Sequence, residues 1–335
     1  MLTIKLPQLF RVHQMPRVFW EDGIISGYRH PKSSALDCLL SSFQMTNETV
    51  NIWTHFLPTW YFLWRFLLLS HTLDFWGHSY NWPLLVYMML ICLYPFTSSF
   101  AHTFSSMSAH ARHICYFLDY GALSLYSLGS AFIYSAYIMP DRWINSALHR
   151  YFVPIAAFNT FICTGLSCYS RFLEVDQPQL SKVLRTVAFV HPFMFDNIPL
   201  FFRVSRGGGS GAVGVEMRGA YSCCNARPAG GTLYRELTSH TLSPAGHSHQ
   251  LFHICAVLGT HFQLEAVLCD RAAREAWLAA HSDGDSLAVT LGVVATALIG
   301  NLILICFFTA TLLWSPRANS ILQNHSPGDA RFKEY

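Results

Sequence analysis

LYPFTSSFAHTFSS at residues 93–106 and GHSHQLFHICAV at residues 246–257 decide how this chain is read. Each sets histidine at the edge of an apolar run, where an ionisable ring is costly unless it has a partner. In the first stretch Ser98 and His102 stand four residues apart, as do His249 and His253 in the second. On a helix that spacing puts both side chains on one face. A further polar residue, Asp119, opens the next apolar run in HICYFLDYG at 113–121. Three imidazoles and a carboxylate at the ends of helical spans read as a metal site inside a bundle. The rival reading of any single histidine is a hydrogen bond to a neighbouring helix.

The composition fits a membrane setting. The 335 residues are 52% hydrophobic and 15% aromatic with only 12% charged, too apolar for a soluble globule of this length. Runs of about 18 or more mostly apolar residues occur at 53–70, 82–104, 114–139, 151–169, 183–202, 249–268 and 290–313. The expected fold class is therefore all-α, a polytopic membrane helical bundle. No apolar stretch resembling a cleaved leader precedes the first span, which is expected to act as the signal anchor. Ten cysteines are scattered, mostly within spans and without CxxC spacing, so neither a disulfide framework nor a thiolate metal site is expected. A net charge of +3, with no basic cluster interleaved with aromatics, makes nucleic acid an unexpected partner.

Lys5, Arg11, Arg17, Arg29 and Lys32 precede the first span, whereas the first connection, 71–81, has no Lys or Arg. This bias predicts a cytosolic N-terminus for a multi-pass protein. Arg112, Arg171, Lys182 and Arg185 agree with it, while Arg142 and Arg150 fall on the other side. His102 and Asp119 then lie near the cytoplasmic leaflet. For His249 to meet them, one more crossing is needed between residues 203 and 248. The stretch there is Gly- and Arg-rich, with no run long enough to span. Either it replaces a helix of a longer ancestor or the last spans are inverted and the site cannot assemble. The expected layout is a cytosolic N-terminal segment at 1–52, five membrane helices in 53–203, a Gly/Arg-rich disordered insert at 204–245, two helices with the HxxxH pair in 246–313, and a polar tail at 314–335.

NETVNIWTH (47–55), SSFAHTFSS (98–106), HICYFLDYG (113–121), GLSCYSRFLE (165–174) and GHSHQLFH (246–253) together resemble the signature segments of the progestin and adipoQ receptor family, most closely its membrane progestin receptor branch. The resemblance is collinear over residues 1–203 and 246–313. It implies a seven-helix core with a cytoplasmic N-terminus, an intramembrane zinc site and an extra C-terminal helix. It also implies His102, His249 and His253 as zinc ligands, Asp119 holding the zinc-bound water, and Ser98 beside it. At 204–245 this chain departs from the family, where one core helix is missing or replaced.

The residues point the same way on chemical grounds. Three neutral imidazoles leave tetrahedral Zn²⁺ one open position, and water there can have its pKa lowered to about 7. Asp119 would orient that water or take its proton, and Ser98 would donate to a developing oxyanion. Among the other polar residues of the spans, Gln263, Glu265 and Asp196 are candidate ligand contacts. A structural reading competes for each, most strongly for Asp196, which with Asn197 and Pro199 marks a kinked helix. Arg65 is expected to snorkel. Three functions follow. One is a plasma-membrane receptor that binds a progestin or related steroid within the bundle and signals to cytosolic partners such as a G protein. Another is a zinc-dependent, ceramidase-like hydrolase of a sphingolipid amide. The third is an isoform whose site does not assemble.

Overall fold

The computed structural model describes residues 6–21, 23–174, 176–205, 247–281 and 287–314. The N-terminal segment has its own order. Strand β1 (Phe10–Arg11) pairs antiparallel with β2 (Ser26–Tyr28), and a short helix α1 (Ala35–Ser41) follows. Ser34 and Asp37 close α1 with a reciprocal capping box, which satisfies its first free N–H groups.

The bundle proper begins with α2 (Thr49–Thr72) and α3 (Trp82–Phe104). Ser108 caps α4 (Ala109–Ile133), which runs on into a buried π-helical turn at Tyr134–Ile138. Ser146 caps α5 (Ala147–Phe172), and Pro178 opens α6 (Pro178–Asp196) at a position where its missing N–H costs nothing. The kink expected at Asp196 and Asn197 is a break: α6 stops at Asp196 and α7 (Ile198–Ser205) resumes after Asn197, whose backbone N–H and side chain both donate to the Phe193 carbonyl, at 3.2 and 2.8 Å. The last two helices are α8 (His247–His281) and α9 (Leu287–Trp314). Every apolar run of the sequence lies within these helices.

Among the described residues, four helical stretches are long and apolar enough to cross a membrane: Ser79–Phe104, Ala147–Phe172, His249–His281 and Ala288–Trp314. The chain is an all-α membrane helical bundle. Helices α2 to α6 pack in sequence order, α8 returns against α2, and α9 lies outside against α5 and α4. Phe62, Tyr87, Tyr134, Tyr137 and Phe152 fill the core. Trp60, Trp64 and Leu67 of α2 and Ile303 and Phe307 of α9 face outward, as a lipid-facing surface requires.

Helix α8 orients the bundle, because its two ends carry different chemistry. Near its start stand His249 and His253. Farther along, Arg271 holds the Asn81 amide oxygen at 2.6 Å, Arg274 pairs with Asp141 at 2.6 Å, and Asp270 pairs with Arg203 of α7 at 2.9 Å. His253 and Asp270 are about 26 Å apart along the axis. The end of α7 and the start of α8 therefore lie at opposite ends of the bundle; the residues on which the expected added crossing falls lie outside the described ones. Of the expected insert at 204–245, the first two residues finish α7. The rest, like the polar tail, lies outside the described residues. Arg65 is not the snorkelling residue expected: it forms an ion pair with Glu265 of α8.

The seat of α9 depends on a glycine. A Cβ at Gly300 would collide with the Phe161 ring of α5, so close approach here needs a residue without a side chain. Gly300→Val is expected to destabilise the bundle by about 1–3 kcal/mol through overpacking, read as a lower unfolding midpoint of the purified protein in detergent.

Candidate functional site

The histidines converge. His102 ends α3, His249 and His253 begin α8, and one ring nitrogen from each lies within 4.8 Å of the others. The Nε2 atoms of His249 and His253 are 3.2 Å apart. His102 Nδ1 is 2.7 Å from Glu48 Oε2, with the two side chains only 1% and 2% exposed. An ionised carboxylate can only accept, so Nδ1 carries a proton, and in the neutral ring Nε2 is left as a free lone pair. That Nε2 is buried and has no hydrogen-bond partner. A tetrahedral ion bound at about 2.0–2.1 Å spaces its ligands by roughly 3.4 Å, within the range these nitrogens span. The donor set therefore fits zinc, with His102, His249 and His253 as holders.

Ser98, one turn before His102, lies close enough to the Asp119 carboxylate of α4 to influence it, and that carboxylate lies close enough to His102 to feel its charge. Ser98 and Asp119 thus stand beside the imidazoles. Two further residues were not singled out in the sequence. Glu48 precedes α2 and binds His102, and His55 stacks face to face on His253 with centroids 3.9 Å apart. Both occur in NETVNIWTH, where Glu48, Asn51 and His55 follow i, i+3, i+7 spacing. That is one stripe of a helix.

The N-terminal segment closes this end of the bundle. Arg29 donates to the carbonyls of Thr103 at 2.5 Å and His102 at 2.6 Å, satisfying the free end of α3. Arg112 reaches Glu21 at 3.0 Å and lies 4.0 Å from Glu48. Burial and the neighbouring Glu48 carboxylate push Glu21 from 4.5 up to about 7, against the pull of Arg112.

A cavity lies within the bundle, lined among others by Tyr94, Ser127, Phe189, Phe193, Asp196, Phe252 and Thr260. The Phe252 ring also contacts those of His249 and His253. Gln263 lies in its wall. Its oxygen accepts from Tyr87 at 2.9 Å and Tyr126 at 2.7 Å, while its nitrogen donates to Tyr134 at 2.8 Å and Ser130 at 3.2 Å. Asp196 accepts from Ser127 through Oδ2, but Oδ1 is buried without a partner. Of the candidate ligand contacts, Gln263 and Asp196 line the cavity. Glu265 does not; it points at Arg65 and His261 on the α2 side.

The chain matches the family described as Haemolysin-III related over residues 43–264. It is 60% identical over 332 residues to the human membrane progestin receptor delta, covering 96% of each chain. It is 59% identical to the mouse membrane progestin receptor delta, again covering 96% of each. Against the human membrane progestin receptor gamma it is 48% identical, covering 95% of this chain and 98% of the relative.

Glu21 makes the closed end pH-sensitive. Its folded value is raised, so the stability it contributes is full below about 4.5 and is lost as pH rises through about 7. The unfolding midpoint is expected to fall between about pH 5 and pH 8, and Glu21→Gln should shrink that fall. Thermal melts followed by tryptophan fluorescence at both pH values check this.

Proposed function

The chain belongs to the Haemolysin-III related family, and from that premise we propose that it is a membrane steroid receptor of the progestin class that holds its ligand in the cavity lined by Phe252 and Asp196. The likeness to membrane progestin receptors over nearly the whole chain carries this reading. Apolar cavity walls at Phe189, Phe193 and Phe252 support it, since they suit a flat hydrocarbon body. The unpaired Asp196 Oδ1 is the group a ligand's polar end would meet. Ionised, it accepts from a hydroxyl; protonated, it donates to a ketone.

On this reading the protein is a multi-pass plasma-membrane receptor with a cytosolic N-terminus, signalling to a partner such as a G protein. The orientation is supported by Arg29, Arg112 and Arg171, which lie with the histidines at one end.

The histidines support a second reading, a zinc-dependent hydrolase of a ceramide-like sphingolipid amide. His102, His249 and His253 would hold the zinc, which would supply Lewis acidity there. Asp119 is placed to take a proton from attacking water, and Ser98 to hold that carboxylate or donate to the oxyanion. The two readings are compatible, since a ligand in the cavity can govern access to the histidines.

The purified protein in nanodiscs is expected to bind labelled progesterone, and Asp196→Leu to weaken binding about tenfold. His249→Ala should leave steroid affinity within about twofold and abolish release of fatty acid from a short-chain ceramide. Wild-type protein without saturable steroid binding rules out the receptor reading; hydrolysis surviving His249→Ala rules out the hydrolase.

A further inference from the structure

Glu48 is buried for a reason the zinc ligands alone do not explain. Its Oε2 accepts from His102 Nδ1 at 2.7 Å and from Asn51 Nδ2 at 2.8 Å, so two donors fix a single oxygen. The bland account makes Glu48 the counter-ion of the buried Arg112. The distances favour another. Arg112 is 3.0 Å from Glu21 but 4.0 Å from the nearer Glu48 oxygen, while the short bonds of Glu48 go to His102 and Asn51. Glu21 already supplies Arg112 with a close carboxylate.

His102 is moreover held twice. Arg29 binds its carbonyl at 2.6 Å and fixes the backbone, while Glu48 fixes the ring. His253 leans on the His55 ring, stacked face to face with it.

We propose that Glu48 is the positioning residue of the metal centre: it fixes the tautomer and tilt of His102 so that Nε2 faces His249 and His253, and Arg112, anchored by Glu21, steadies it from the N-terminal segment. The proposal rests on the zinc reading above. A carboxylate in this position raises the basicity of the ring it holds, and loss of such a group typically weakens metal binding 10- to 100-fold.

The full-length protein, purified in detergent and loaded with Zn²⁺, tests this through zinc content and zinc transfer to a competing chelator. Wild type should retain zinc and His102→Ala should lose it. Glu48→Gln, which keeps the size and an acceptor but not the charge, should bind zinc about 10-fold more weakly, and Glu48→Ala about 100-fold. If Glu48 serves only Arg112, Glu48→Gln lowers the unfolding midpoint and leaves zinc affinity at the wild-type value, which overturns the proposal. Should those variants fail to fold, Glu48→Asp keeps a charge near Arg112 while withdrawing it from the ring. Weakened zinc retention in that variant supports the proposal, and wild-type retention overturns it. Wild type that takes up no zinc removes the metal reading and this proposal together; zinc-replete wild type with unaltered Glu48 variants removes this proposal alone.

Discussion

A carboxylate withdrawn from water at the end of a helical bundle must be matched by groups from whatever packs around it. At Glu48 those groups come from separate elements: Asn51 from α2, His102 from α3 and Arg112 from α4, with Glu21 of the N-terminal segment on the far side of Arg112. No one helix satisfies its own charge here. The start of α2, the end of α3 and the start of α4 are bound into one unit, and taking out one member leaves another charge buried and unpaired. The N-terminal segment is therefore part of the site's architecture, since it supplies Glu21 to Arg112 and Arg29 to the end of α3.

The same logic pins the other end of α8, where Arg271, Arg274 and Asp270 meet Asn81, Asp141 and Arg203. A helix fastened at both ends leaves its middle to be shaped by neutral polar groups. Gln263 uses both ends of its amide with four hydroxyls, which makes it a rigid, satisfied wall. Asp196 is the opposite case, buried in the lining with one oxygen unpaired. An unmatched carboxyl in the wall of an apolar cavity is a standing demand for a partner. That contrast, rather than polarity as such, separates a group that builds the cavity from one that faces its contents.

Much of this was legible in the sequence, because both signals involved are local. Apolar runs of membrane length mark helices, and i, i+4 spacing at their edges placed Ser98 with His102 and His249 with His253. Asp119 was found for the same reason. Glu48 and Asn51 escape a hydropathy reading because the apolar run begins at Trp53, whereas α2 begins at Thr49, and His55 inside that run is then parted from the polar stripe it belongs to. Its first turn is polar yet buried against the protein, and hydropathy cannot tell that from a loop. The far half of α8 was lost likewise: the run was closed at residue 268, but Asp270, Arg271 and Arg274 continue the helix to His281 because each has a partner on another element. The pairing of Arg65 with Glu265 joins residues far apart in the chain and could not be read from spacing.

Geometry also relates the receptor and hydrolase readings. Along α8, His253 and Gln263 are about 15 Å apart, and Asp196 lines the same cavity as Gln263, while Phe252 borders both the histidines and the cavity. A compact, rigid molecule anchored near Asp196 would stop short of the imidazoles. An extended chain anchored at the same point can run past Phe252 and bring a bond to Asp119 and His102. On the two proposed readings, the activities would differ in the reach of the occupant rather than in the residues that hold it. A rigid occupant would exclude the extended one from the same walls, so steroid binding and lipid cleavage would compete for one cavity even though only cleavage needs the metal end.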